Sequence, residues 1–374
     1  MKAIGLHGFH HGLGARFGEV NGMEVVAHYG DSPAEYAVLR RSAGVIDLSS
    51  RSRICLAGAD RARFLHGQVT NDVKGLTAGR GCYAALVTAK AKMVSDLNVY
   101  NLQNALLLDF ESGLAPTVSE RLEKFIIADD VQVVDVAPDY GLLSVQGPEA
   151  EAVVRSLGWF NDIPGKPFDF AEIAIPAHGE MCLVNQPRIG SGGYDLFVQA
   201  PSLGAVADKL IAAATSAGGR ACGWQALETA RIEAGIPRFG ADMDETTIPL
   251  EAGLETRAVS FTKGCYIGQE VISRIHTRGQ VTKVLRGLRL TDDSKTLPVK
   301  GDKLFHAGKE VGSITSATAS PMLKATIALG YVRKEVNQVG VELTLCKANS
   351  RCGATIVETP FAKLEAARGD SGQL

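Results

Sequence analysis

Apolar positions follow two rhythms along this chain, and the rhythm changes near residue 283. Upstream, short apolar runs that read as strands alternate with stretches at helical spacing. From Ser32, with Glu35 three residues on and Pro33 at the first helical position, a capping-box pattern opens a helix through Ala34, Ala37, Val38 and Arg41. Gly44 ends it. "VIDLS" and "RICLAG" read as strands, and Asp60 can cap the next helix, "RARFLHGQV". Residues 82–110 read as three consecutive strands, "CYAALVT", "MVSDLNVY" and "ALLLDF". A helix follows at 114–127, and then the strand "VQVVDV".

A second unit with the same grammar starts at "GLLSVQG", residues 141–147, with "PEAEAVVRSLG" as its helix. Strands near 171–175, 181–185 and 194–199 precede the helix "PSLGAVADKLIAAATSAG". The shared grammar hints at a structural duplication. "GWQALETARIEAG" is a further helix, and residues 236–262 are rich in loop signals. From 283 onward only short strands and turns occur, which predicts a small C-terminal β-barrel or sandwich. The expected class is α+β. The expected domains are 1–140, which contains the Asp96 strand, 141–282, which contains the segment KGCYIGQE, and 283–374, the barrel. An exchange of segments between the first two is left open.

Composition narrows the function classes. Charged residues make up 21% and the net charge is −2, so nothing calls for nucleic acid or an acidic membrane as partner. No apolar run approaches the roughly 18 residues needed to span a bilayer, and the first twenty residues lack a signal-peptide core. A cytoplasmic location is expected. Those first residues, with His7, His10 and His11, read as a mobile arm, and the tail after Lys363 reads as frayed. The seven cysteines are odd in number and show no CxxC spacing, so neither a disulfide framework nor a metal knuckle is expected.

Cys265 has unusual neighbours, in "KGCYIGQE", residues 263–270. Ile267, Val271 and Ile275 predict a helix beginning just after it, and Gly264 and Gly268 allow a tight approach. A helix N-terminus and the charge of Lys263 both favour a thiolate. A pKa drop of about two units would equal roughly 2.7 kcal/mol of preference for the charged form. The alternative is a structural cysteine in a turn, with Lys263 a solvated charge.

"KGCYIGQE" resembles the signature of the YgfZ branch of the folate-binding aminomethyltransferase superfamily. "ARFGEVNGMEVVAHYG" and "EYAVLRRSAGVIDLSSRSRICLAGADRARFLHGQVTNDV" resemble the amino-terminal part of the glycine-cleavage T-protein. "RIEAGIPRFGADMDETTIPLEAG" resembles its middle segment. The resemblance runs from about residue 15 to 361. It implies a three-domain ring around a central channel that takes tetrahydrofolate. It also implies that the YgfZ branch supports assembly or repair of iron–sulfur proteins.

The resemblance further implies site residues. Asp96 matches the aspartate near the reacting folate nitrogen. From the sequence alone its strand face, with Val94, Asn98 and Tyr100, meets either a cavity or water. Asp195 matches a glutamate that binds the pterin; the alternative is a simple loop into a strand, with Asp195 on the exposed face. Tyr83 matches a tyrosine that packs on the folate or fills a core.

Three features depart from the T-protein pattern. Leu227 stands where T-proteins carry an arginine, and Arg231 is the nearest arginine. Ala362 and Lys363 follow Phe361 where a tyrosine is expected, and T-proteins lack the KGC segment.

The reading is a tetrahydrofolate-binding accessory protein of iron–sulfur metabolism. In it Cys265 is the functional thiol and Lys263 tunes it. Tyr266, Gln269 and Glu270 complete the motif, ordering the helix start or meeting a partner. Expected partners are folate and iron–sulfur proteins or their assembly factors, with a monomeric chain. The alternative is a folate-dependent aminomethyltransferase in which Asp96 positions the nucleophile.

Overall fold

In the computed structural model, which describes residues 1–291, 296–348 and 350–361, the change of rhythm near 283 marks the start of a closed six-stranded barrel. The chain forms two compact units from interleaved segments. The first takes Met1–Ala89, Val94–Leu227 and Arg257–Gln269; the second takes Lys90–Met93, Glu228–Thr256 and the chain from Glu270 onward. No helix among the described residues is long and apolar enough to cross a membrane. The expected fraying after Lys363 lies outside the described residues.

The first unit is built on two larger sheets. One has five strands in the order Gly81–Val87, Met93–Asn101, Leu106–Phe110, Ser52–Ala57, Gln132–Asp135. Alternation gives it two different faces. Ile54, Leu56, Leu106, Leu108 and Phe110 point outward into a core closed by Phe64, Leu65, Val118 and Leu122 of two helices, Arg61–Gln68 and Ala115–Glu123. Burying each such side chain contributes ~1.5–3 kcal/mol. Arg53, Cys55, Leu107 and Asp109 share the opposite face, with Cys55 opposite Leu107 and Arg53 opposite Asp109.

The other sheet has six strands: Phe170–Ile175, Gly179–Asn185, Gly193–Gln199, Tyr140–Gln146, Gly44–Asp47 and Arg220–Ala221. Its last pair is parallel. Val45, Leu143, Val145, Leu196 and Val198 pack under the helices Ala150–Ser156 and Leu203–Ser216. Ser144 and Asp195, opposite one another in the ladder, lie on the reverse face. The inner faces of the two sheets therefore meet each other, as the edge-on packing of Tyr100 against Phe197 at 5.9 Å shows. The chain passes from Gly44–Asp47 in one sheet to Ser52–Ala57 in the other, which puts Arg51 at the seam.

Three local expectations give way to other contacts. The helix Ser32–Arg41 is capped by Asp31, whose carboxylate accepts from the Ala34 amide at 3.0 Å. Glu35 instead accepts from the amides of Tyr29 and Gly223 at 2.7 and 2.8 Å. The N-terminal residues are not a loose arm. His7–Gly12 is a short helix held by His10, which is 2% exposed and touches Asp47 and the Tyr29 hydroxyl, each at 2.8 Å. Behind it, Arg16–Val20 and Met23–His28 form a hairpin. Its two-residue turn, Asn21-Gly22, has positive φ at both positions (49° and 79°), which those residue types accommodate with least strain. In the helix Gln269–Arg278 the fully buried position is Ile272, while Val271 and Ile275 are only half-buried.

The barrel of the second unit runs Lys283–Leu290, Ala325–Arg333, Lys309–Ser320, Lys303–His306, Glu342–Lys347 and Ser350–Val357, and closes back on the first strand. Leu288, Leu304, Ile314, Val332, Leu345 and Ile356 fill it. Closure removes the exposed edges that an open sheet of this length would carry.

Candidate functional site

The polar groups on the inner faces of the first unit's sheets are buried, and they pair with each other. Asp109 is the hub. It accepts from Arg51 Nε at 2.8 Å, Asn98 Nδ2 at 2.9 Å and Arg188 Nη2 at 3.1 Å. Burial alone would raise its carboxyl, but Arg51 and Arg188 overcome that and hold it at about 2. Arg51 also reaches Glu111 at 2.5 Å. Arg188 continues the network to Asp195 through Nε (3.1 and 2.9 Å) and Nη2 (2.5 Å). Ser144 Oγ donates to the same carboxylate at 2.7 Å. Asp195 is fully buried, and both its oxygens have partners.

Asp96 lies at the other end of this seam, on the strand Met93–Asn101. Tyr83, on the neighbouring strand Gly81–Val87, donates its hydroxyl to Asp96 Oδ2 at 2.7 Å. Asp96 Oδ1 is buried and has no hydrogen-bond partner. Burial and the nearby Glu111 raise the Asp96 carboxyl, against the opposing pull of Tyr83 and Arg51. Burial and Asp96 likewise push the Tyr83 phenol far up, so it stays a donor. The guanidinium of Arg257 lies 5.4 Å from the Tyr83 ring centroid. The strand's polar positions thus face the other sheet: Asn98 is buried on Asp109, and Tyr100 packs on Phe170 and Phe197. Glu111, Arg51, Asp109, Arg188 and Asp195 form one hydrogen-bonded run of charged side chains, and Asp96 interacts electrostatically with its Glu111 and Arg51 end.

The KGC segment is irregular backbone strapped to the end of the helix Arg61–Gln68. Lys263 is 8% exposed, and its Nζ donates to the carbonyls of His66 (2.5 Å), Val69 (2.8 Å) and Asn71 (2.9 Å). The Ile267 amide bonds the Gly67 carbonyl at 3.0 Å, and the Lys263 ammonium lies 4.8 Å from the Tyr266 ring centroid. Tyr266 is buried, whereas Cys265 between these anchors is exposed. The helix begins only at Gln269, so Cys265 lies outside its first turn, where the dipole has faded. Gly268 has a φ of 88°, which favours glycine, while Gly264 has neither positive φ nor a crowded Cβ direction. Glu270 is exposed.

Arg231 belongs to the second unit. Nε and Nη2 fork onto Glu228 at 3.1 and 2.8 Å, and Nη2 also donates to Ser316 Oγ at 2.8 Å. Nη1 donates to the Ile236 carbonyl at 3.2 Å and to Asp242. All five of its N–H groups therefore have acceptors. Leu227 is buried.

Sequence reasoning passed over Arg51, Asp109 and Arg188. One signal was present: Asp109 interrupts the apolar strand Leu106–Phe110, and a charge buried there needs a partner.

Comparison with known proteins places this geometry. Residues 6–263 match the GCVT N-terminal domain, and residues 283–363 match the glycine cleavage T-protein C-terminal barrel domain. An aminomethyltransferase of Geobacillus thermodenitrificans is 31% identical over 352 residues, covering 94% of this chain and 95% of its own. One of Cupriavidus necator is 31% identical over 378 residues, covering 97% and 98%. The crystal structure of glycine cleavage system aminomethyltransferase T from Bartonella henselae shares the fold, with a TM-score of 0.86 at 24% identity over 96% of this chain and 98% of that one. The chain belongs to the glycine-cleavage T-protein family.

Proposed function

We propose that the protein is a folate-dependent one-carbon transferase of the aminomethyltransferase type, with Asp96 as its working carboxylate. The observation that carries this is Asp96 Oδ1, buried and without a partner beside an Oδ2 already held by Tyr83. A buried oxygen of this kind is destabilising by about 1–3 kcal/mol unless something donates to it. A cationic amine, or a protonated ring nitrogen of tetrahydrofolate, supplies that donor. When bound, tetrahydrofolate supplies the two nitrogens that carry the one-carbon unit. Tyr83 orients Asp96, and the raised carboxyl lets Oδ1 take up or release a proton nearer neutrality than a solvated aspartate would.

Asp195 and Arg231 fit a folate contact less readily. The carboxylate of Asp195 is occupied by Arg188 and Ser144, and the guanidinium of Arg231 by four neighbours. A pterin at Asp195 requires Arg188 to yield part of its fork.

One observation supports a second reading, the YgfZ-type role in iron–sulfur assembly or repair: Cys265 is exposed within KGCYIGQE. In that reading Cys265 is the working thiol. Lys263 acts by fixing the loop, because its ammonium is bound to three carbonyls.

Calorimetry with tetrahydrofolate and an aminomethyl-transfer assay separate these readings. Asp96→Asn should bind tetrahydrofolate within a few-fold of wild type and lose roughly 10²–10⁴-fold in transfer. Cys265→Ser should leave transfer unchanged. Wild-type protein that binds no tetrahydrofolate refutes the first reading. Loss of iron–sulfur enzyme activity in cells carrying only Cys265→Ser favours the second.

A further inference from the structure

A cavity of about 430 Å³ opens in the first unit, and Tyr83, Asp96, Asp109 and Asp195 take no part in its wall. Leu107, Tyr140, Met181 and Phe197 give it an apolar and aromatic lining, while Glu172 and Glu180 stand exposed where it meets solvent. Arg53 also lines it, at 1% exposure. Its Nη2 donates to the carbonyls of Ser49 at 3.0 Å and Ala137 at 3.2 Å. Its Nε and Nη1 are buried with no partner, and no carboxylate pairs with it among the described residues. Of five N–H donors, three therefore lack an acceptor. Burial pushes this guanidinium down to about 10, against the distant pull of Asp109 and Asp47.

We propose that this cavity binds a small monocarboxylate with an apolar or aromatic body, its carboxylate seated on Arg53. A buried cation with three idle donors is completed by an acceptor that brings a negative charge. The guanidinium is anchored only through Nη2, so it can pivot to present its free edges to a ligand. The volume suits a small ligand, and the lining demands an apolar body. Glu172 and Glu180 set the polarity: they repel a dianion such as phosphate and direct the ligand's uncharged end outward.

Calorimetric titration of the full chain with hydrocinnamate tests the site, with inorganic phosphate and phenylpropylamine as controls. Hydrocinnamate should bind, and both controls should bind at least roughly tenfold more weakly. Arg53→Gln should lose about tenfold or more in hydrocinnamate affinity. In the unmodified chain, hydrocinnamate should also slow alkylation of Cys55, which lines the same cavity. That readout locates the ligand even if the glutamine variant fails to fold. No heat with hydrocinnamate at millimolar concentration, an equal response to phosphate, or binding that leaves Cys55 unprotected overturns the assignment. Tetrahydrofolate binding to wild type, measured in parallel, keeps this outcome apart from that of the transferase reading.

Discussion

Replacing Lys263 by methionine tests what fixes the KGC loop. Methionine keeps most of the stem and removes all three donors to the carbonyls of His66, Val69 and Asn71. Hydrogen bonds to a charged group contribute about 1.5–3 kcal/mol each. The carbonyls of His66 and Asn71 are only partly buried and regain water, and removing the ammonium also relieves its burial. The net loss should be about 2–4 kcal/mol. Lys263→Arg should not restore it, because a planar fork does not match three converging carbonyls.

The pH dependence follows from the same contacts. Burial pushes the Lys263 ammonium from 10.5 down to about 8. Between those values the unfolded chain holds the proton more tightly, so wild-type stability should climb across that window relative to the methionine variant. Urea unfolding measures the loss, and hydrogen exchange at residues 66–71 locates it. A methionine variant within about 0.5 kcal/mol of wild type, with unchanged exchange there, refutes the anchoring role.

Two further outcomes are expected. Arg188→Met leaves fully buried Asp195 with only the Ser144 hydroxyl and takes one of two guanidinium partners from Asp109, and should destabilise the first unit by about 3–5 kcal/mol; melting curves should show a smaller loss at acid pH, where Asp195 protonates. A maleimide at neutral pH should label exposed Cys265 before Cys55, whose thiol burial pushes up to about 11, as peptide mass spectrometry would show.

The strands carrying Tyr83 and Asp96, the helices that cover them and the barrel are legible because each rests on local periodicity. The Asn21-Gly22 hairpin is equally legible from its turn and flanking strands, yet the Gly- and His-rich residues before it invite reading the whole stretch as an arm. Capping at Asp31 rather than Ser32 is a one-residue shift that spacing alone does not decide. The charged seam is of another kind. Arg51 meets Asp109 58 residues away, and Arg188 meets it across 79. No window of sequence holds both partners, so only the sheet-to-sheet packing reveals that Asp195 is already engaged. Lys263 reads as a tuning charge beside a thiol for the same reason: its acceptors lie far upstream.

That separation has a consequence for synthesis. The carbonyls of His66, Val69 and Asn71 leave the ribosome 197, 194 and 192 residues before Lys263. At roughly 5–20 residues per second, they go without their donor for about 10–40 s. By the end of that interval, once residue 221 is out, the nascent chain has every strand of both larger sheets of the first unit but not the segment that closes it. The chain must first enter the second unit at Glu228 and return at Arg257. The His66–Asn71 turn, without its donor, is then open to proteases and chaperones. A truncation ending before Lys263 would hold it in that state permanently.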